Sequence, residues 1–499
     1  MKTMTTKLLA LLAAAMLIFP SCDNSNGDEP TPEQKFELTL DRDQVTFTAE
    51  GGISKVYITT DARGWNVVNG LSWLEVDRWE DCISLTAKPY TGSESRHGDV
   101  LIYVGEGASR VEKIVKVEQL GKESSSTGGG VAFECPVFQS LVLEYCDMNG
   151  DGAVSDEEAA LVTEMSLTWD VAMEREPITS IKGIERFVNL VNFECDNNQI
   201  TELDLSGLAK LEYVDCSYNA IKTVNLSGCK SLKQFYGNMN DIEYVNLNDC
   251  DGIQLFQAWQ NNITTLDMSG MKELVYLDLR INDLREVEFH DCPKLVVAAI
   301  GSNDLVSLNL SGLPELYTLG CYENNIATLD VSALPKLEML ECYDNNISSL
   351  DLSANASLAT LVCSNNLLTE LKLHESAPLG KLDCGNNRLS GTLDVSAYKG
   401  LKYLHCGANA FESVVVEGCA KITDLACENT NITELKVSSL TLLESLVANH
   451  CQLTSLDCSN NLKLSKLHVQ GNPLTELILA EGQYISDLKV DNHDIIVRK

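Results

Sequence analysis

The densest run of oxygen donors in this chain is a twelve-residue stretch, D-M-N-G-D-G-A-V-S-D-E-E, from Asp147 to Glu158. Asp147, Asn149 and Asp151 take its first, third and fifth places, Gly152 the sixth, Ala153 the seventh, Ser155 the ninth and Glu158 the twelfth. A hard divalent cation is held by six to eight oxygens that converge from a tight turn. Alternate side chains, the Ala153 carbonyl, a water on Ser155 and both oxygens of Glu158 would supply them, while Gly152 allows the sharp bend. The spacing therefore predicts one bound Ca²⁺.

This loop resembles the EF-hand. Before it, Pro136 to Tyr145 carries Phe138, Leu141, Val142 and Tyr145 at helical spacing. The resemblance implies a small helical calcium-binding cap over residues 132–165, with Ala159, Val162 and Met165 packing onto an irregular first repeat at 166–189.

What that cap would cover is a repeat. Units of 21 residues open at Leu190, Leu211, Leu232, Ile253, Leu274, Leu295, Leu316, Leu337, Leu358, Leu379, Leu401, Ile422, Leu443 and Leu464, one extra residue being absorbed before Leu401. Each reads L-x-x-L-x-C-x-x-N-x-L-x-x-L-x-L, as in LEMLECYDNNISSLDL. The ninth place is Asn in all but two units, where Thr430 and Cys451 stand, and an amide there can satisfy the backbone of the turn that ends each strand. The pattern resembles the leucine-rich repeat, which implies a solenoid with a parallel, concave β-sheet over residues 190–484 and a capping strand at 485–499.

Eighteen cysteines are present, and register decides their role. Cys195, Cys216, Cys321, Cys342, Cys363, Cys384, Cys406 and Cys427 share position six, while Cys229, Cys250, Cys292 and Cys419 share position nineteen. In-register neighbours keep the strand spacing of about 4.8 Å, beyond the roughly 3.5 to 4.5 Å between Cβ atoms that a disulfide needs. They are expected as small buried hydrophobes. A cysteine ladder in a 21-residue repeat resembles the internalins, whose adhesion role carries over as an analogy.

Positions three, five and seven must point outward whenever four and six are core. In the second to fifth units they hold Tyr213, Asp215, Tyr236, Asn238, Gln257, Trp259, Tyr276, Asp278 and Arg280. Rings interleaved with amides and charges suit a ligand-binding face centred near Trp259, because Trp, Tyr and Arg dominate protein hot spots and flat rings stack on sugars. The competing explanation is that tyrosine favours strands and pairs across them.

The chain opens with Lys2, Lys7 and the apolar run LLALLAAAMLIFP, which reads as a signal peptide (residues 1–21). LIFPSC resembles a bacterial lipoprotein cleavage site, which implies a lipid on Cys22, then an acidic tether at 22–34 and the surface of an outer membrane. Residues 35–122 alternate in period two and predict an immunoglobulin-like β-sandwich. Trp65, SWLEV at Ser72 to Val76, Arg96 and VEQLG at Val117 to Gly121 resemble the BACON domain, named as Bacteroidetes-associated, which implies carbohydrate binding or a spacer. A linker follows at 123–131.

The net charge of −35 argues against nucleic acid as a partner. Enzyme chemistry finds little support. Glu194 and Asp215 sit one coil apart, near the separation of retaining glycosidase carboxylates, yet an open face is expected to desolvate neither. His405 and His468 lie three coils apart, roughly 14 Å at the strand spacing, too far to share a metal. The sequence thus points to a multidomain, non-enzymatic, surface-anchored protein that binds an extracellular glycan or protein. The alternatives are a polysaccharide-acting enzyme or its accessory, and a ligand-free spacer.

Overall fold

The computed structural model describes residues 36–47, 49, 51–79, 82–105, 109–121, 133–170 and 175–499; the leader, the tether and Cys22 lie outside the described residues. Two compact units result, one containing the sandwich strands and the other residues 133–147 and 151–499.

In the first unit, β1 (Leu38–Leu40), β3 (Gly52–Thr60), β6 (Cys82–Ala87) and β5 (Leu74–Arg78) form one four-stranded sheet in the order β1-β3-β6-β5. The second sheet runs β2 (Gln44–Phe47), β8 (Val111–Gln119), β7 (Arg96–Val104) and β4 (Asn66–Asn69). Alternation sets the core: Val100, Ile102 and Val104 of β7 are fully buried, and they share one cluster with Val56, Ile83 and Leu85 of the other sheet. The sequence landmarks converge here. The Arg96 guanidinium lies over the rings of Trp73 (4.5 Å) and Tyr90 (4.2 Å), and it donates to Gln119 Oε1 at 2.6 Å.

The second unit begins with α1 (Pro136–Cys146), which starts on a proline and buries Phe138, Val142 and Cys146. After the loop comes α2 (Asp156–Ala159), a single turn. The helical part of the expected cap over 132–165 is thus limited to these two helices. The chain past Ala160 instead extends into β9 (Glu164–Ser166), which pairs in parallel with Asn192–Glu194.

Each of the fourteen units contributes a three-residue strand at positions three to five. With β9 at one end and Asp487–Lys489 at the other, they make a 16-stranded sheet, all parallel and in sequence order. The closing residues 485–499 also supply a second strand, Ile496–Arg498, which pairs with Glu476–Leu479 on the far side of the coil. Leu, Ile, Phe and Cys from every coil merge into a single core that runs from Cys135 to Val490, including Ala159, Val162 and Met165 of the cap.

The asparagine column binds coil to coil. Asn324 Oδ1 accepts from Leu305 N at 2.9 Å, and its Nδ2 lies within hydrogen-bond distance of the carbonyls of Ile300 (3.1 Å), Cys321 (3.1 Å) and Tyr322 (3.0 Å). This geometry repeats along the solenoid. Position eight, just before it, is left-handed in coil after coil, with φ near 55° even at Tyr218, Met239 and Ile281. For a β-branched residue such as Ile281 that conformation is strained, and the turn imposes it regardless of residue type.

All seventeen described cysteines are buried free thiols. Burial pushes Cys321 and Cys384 at position six up to about 12, which makes them inert. Position nineteen does more than fill space, contrary to expectation. Cys229 Sγ donates to Leu205 O at 3.1 Å and Cys250 Sγ to Leu226 O at 3.0 Å, each reaching the preceding coil. Asn355 and Asn461 occupy the same position and donate to Val331 O and Val437 O.

Candidate binding face and metal loop

On the outward face of the long sheet, side chains at positions three and five flank a buried residue at four and are themselves half-buried by their neighbours. Tyr213 and Tyr236 meet with ring centroids 5.5 Å apart, tilted by 45°. Asp215 ends the strand that Tyr213 begins, in register with Tyr236, and accepts from Ser217 N at 2.9 Å. Its carboxyl is raised above the usual range chiefly by burial, with Asp196 and Glu194 adding repulsion. The expectation that neither acid is desolvated therefore fails for Asp215. Burial also raises Tyr213, with Asp215 as the next cause.

The amides cross-brace the next two coils. Asn238 Nδ2 donates to Gln257 Oε1 at 3.3 Å, and the Trp259 backbone N–H donates to Asn238 Oδ1 at 3.2 Å. Trp259 is half-buried and open to a partner along one side. In the fifth unit Asp278 is 1% exposed and so cannot be touched by a ligand. It grips Arg280 through two bonds, Nε to Oδ1 at 2.8 Å and Nη2 to Oδ2 at 2.6 Å. The hydrogen bonds that Arg280 donates to Asp278 raise the guanidinium above its usual value, and the Arg280 side chain stays 42% exposed. Tyr276 rises through burial, then through Asp278. Tyr213, Asp215, Tyr236, Gln257, Trp259, Tyr276 and Arg280 thus stand half-buried on the outward side of adjoining coils, with Asp278 buried against Arg280.

The aromatic row continues past the predicted segment. Tyr322 and Tyr343 stack at 4.7 Å with their planes parallel to within 1°. Gly301 makes room for this, since a Cβ there would stand 2.5 Å from the Tyr322 ring. Sequence reading missed a group in the later coils, where His405 Nδ1 meets Asp383 Oδ1 at 2.9 Å and Nε2 meets Glu428 Oε1 at 3.5 Å. Those two carboxylates raise His405 to about 10. Gly385 is the signal that could have revealed it, because a Cβ there would lie 2.5 Å from the imidazole.

In the acidic loop, Asp147 accepts from Asp151 N (3.2 Å) and Gly152 N (2.9 Å), and Asp151 accepts from Ala153 N (2.9 Å). Gly150 and Gly152 both take positive φ, 71° and 79°. Glu158 forms a capping box with Ser155: its Oε2 accepts from Ser155 N and Oγ, each at 2.8 Å. Among the described residues no three His, Cys, Asp or Glu side chains converge as a metal cluster. The loop nevertheless fits a hard cation in its all-oxygen donor set and its turned backbone. Glu158 would exchange its bonds to Ser155 for the ion.

Neither a family model nor a curated protein matches the chain. Among solved structures it is similar to the functional domain of InlJ from Listeria monocytogenes, described as including a cysteine ladder, with 28% identity over 66% of this chain and 76% of that one and a TM-score of 0.48. It is also similar to YopM from Yersinia pestis, a leucine-rich effector protein, with 24% identity over 60% of this chain and 82% of that one and a TM-score of 0.50. The coil geometry and the likeness in fold to YopM make the second unit a leucine-rich repeat solenoid with a parallel sheet.

Proposed function

We propose that this chain is an extracellular recognition protein, tethered to an outer membrane by a lipid on Cys22, that binds a protein ligand across the outward face of its long sheet. The observation that carries this reading is the unbroken row of Tyr213, Tyr236, Trp259, Tyr276 and Arg280 on adjoining coils, with amides and a bidentate Asp278 bracing it from below. Rigid aromatic and guanidinium groups lose little freedom on contact, which is why they dominate hot spots. An open sheet face suits a macromolecular partner more than a small substrate, and binding rather than catalysis is its role.

The test is a panel of extracellular proteins probed with the full chain, in wild-type form and as Trp259→Ala and Tyr236→Ala. Each substitution should weaken the selected interaction by about 2 kcal/mol or more, near thirtyfold, with little change in melting temperature. Wild-type affinity in both variants would place the site elsewhere. Binding to no protein of the panel, with glycan binding that Trp259→Ala and Tyr236→Ala weaken, would replace the protein ligand by a saccharide.

The tether is tested separately. Metabolic labelling with a clickable fatty acid should mark the wild type and leave Cys22→Ala unmarked; a mark that survives the substitution removes the lipid from this account.

A further inference from the structure

The corner at which each sheet strand turns away holds a feature that the recognition face does not use. A cleft of about 460 Å³ opens at the first coils of the solenoid, lined by Trp169, Asp170, Pro177, Asn197, Gln199 and Tyr218 together with the column residue Asn198. That volume lies within the roughly 300 to 1,000 Å³ of small-molecule sites.

Its residues arise from the repeat itself. Asn197 and Tyr218 stand at position eight of the first and second units, and each sends its backbone N–H to the next coil, Asn197 to Ser217 O and Tyr218 to Asn238 O, at 2.9 Å in both cases. Trp169 does the same one coil earlier, donating to Asp196 O at 3.2 Å. Trp169, Asn197 and Tyr218 are therefore successive corners of three adjacent coils. At about 4.8 Å per strand the two aromatic corners stand roughly 10 Å apart along the backbone, with the Asn197 amide between them.

The indole is anchored, since its Nε1 donates to Arg175 O at 2.9 Å. The Arg175 guanidinium is in turn committed, its Nη2 donating to the carbonyls of Leu167 (3.2 Å) and Thr168 (3.1 Å). Gln199 is exposed, and Tyr218 is 48% exposed at the rim. Among the described residues no lysine or arginine lines the cleft, and Asp170 adds a carboxyl group.

We infer that this cleft binds a neutral saccharide, with the rings of Trp169 and Tyr218 stacking on a pyranose and the amides of Asn197 and Gln199 bonding its hydroxyls. Flat apolar rings matched with neutral donors and acceptors are what a sugar offers in reverse. The chain's charge of −35 and the absence of a lining cation disfavour phosphorylated, sulfated or uronic ligands. A peptide would gain less here than on the open sheet face. The two sites are separate, so either can fail without the other.

The experiment is a glycan array of neutral glucose, galactose and mannose oligomers alongside sulfated and uronic ones, probed with the full chain. The wild type should bind at least one neutral oligomer, and Tyr218→Ala should weaken it at least tenfold. Tyr218→Phe should retain it, and Trp259→Ala should leave it unchanged. Trp169→Ala, checked by an unchanged melting temperature, should abolish it; if that variant is destabilised, Tyr218→Ala decides alone. Binding confined to anionic glycans, no binding to any neutral oligomer, or neutral binding that survives Tyr218→Ala overturns the proposal. So does a peptide from an unbiased library whose binding is lost in the same variant while no oligomer binds.

Discussion

At the scale of single residues, two polar columns hold the coils together in different ways, and only one uses both ends of its amide. Asn324 at position nine accepts a buried backbone N–H and donates to carbonyls of two coils, whereas Asn355 at position nineteen donates to Val331 O and Leu334 O, both at 3.0 Å, and leaves Oδ1 buried with no partner. A thiol stands in for the amide in both columns, Cys250 at position nineteen donating to Leu226 O at 3.0 Å and Cys451 at position nine donating to Cys427 O at 3.2 Å, but neither thiol accepts as the position-nine amide oxygen does. Asn324→Ala should therefore cost about 3 kcal/mol in urea unfolding, since it orphans buried backbone groups worth roughly 1 to 3 kcal/mol each. Asn355→Cys should lie within about 1 kcal/mol of wild type. Equal losses in the two variants would mean that the columns are equivalent. Position nine was legible because Asn recurs there. Position eight was not, because Tyr218, Met239 and Ile281 are not residues that advertise a left-handed turn.

At the scale of elements, the helix before the acidic loop was legible in the spacing of Phe138, Leu141, Val142 and Tyr145, and the segment after the loop was not. A capping box starts α2, but the helix stops after Ala159, and Met165 goes instead into β9 to begin the sheet. Pairing with Asn192–Glu194 overrides local helix preference, a tertiary effect that no twelve-residue pattern can contain. This places the loop directly against the first coil, since Val154, Ala159, Val162 and Met165 belong to the solenoid core. We propose that Ca²⁺ held by Asp147, Asn149, Asp151, the Ala153 carbonyl, Ser155 and Glu158 stabilises that cap. At calcium a hundredfold above Kd the gain is about 2.7 kcal/mol by mass action. Chelator should lower the melting temperature of the wild type and have no effect on Glu158→Gln. A wild-type melting curve indifferent to chelator would show that the loop stands without an ion.

At the scale of the whole molecule, the repeat made the architecture readable before any contact was known. Fourteen evenly spaced openers, twelve leucines and two isoleucines, implied fourteen coils, and the sheet has those fourteen strands plus one at each end. What the repeat could not convey is which outward residues are available. Asp278 looked like a ligand contact by position and is instead sealed beneath Arg280, while the parallel pair Tyr322 and Tyr343 lies beyond the predicted segment. Burial of that kind depends on side chains one coil away, and the alternation of a single strand carries no record of them. The central claim is that recognition concentrates on the sheet face around Trp259. Its most direct measurement is an alanine scan of the outward residues from Asn192 to Lys466, each variant in the full chain, read as Kd for the partner that the protein panel selects. The account predicts losses of tenfold or more clustered at Tyr236, Trp259 and Arg280, with near-neutral values at Thr360 and Ser445. A flat profile, or one whose losses centre on the later coils, would contradict it.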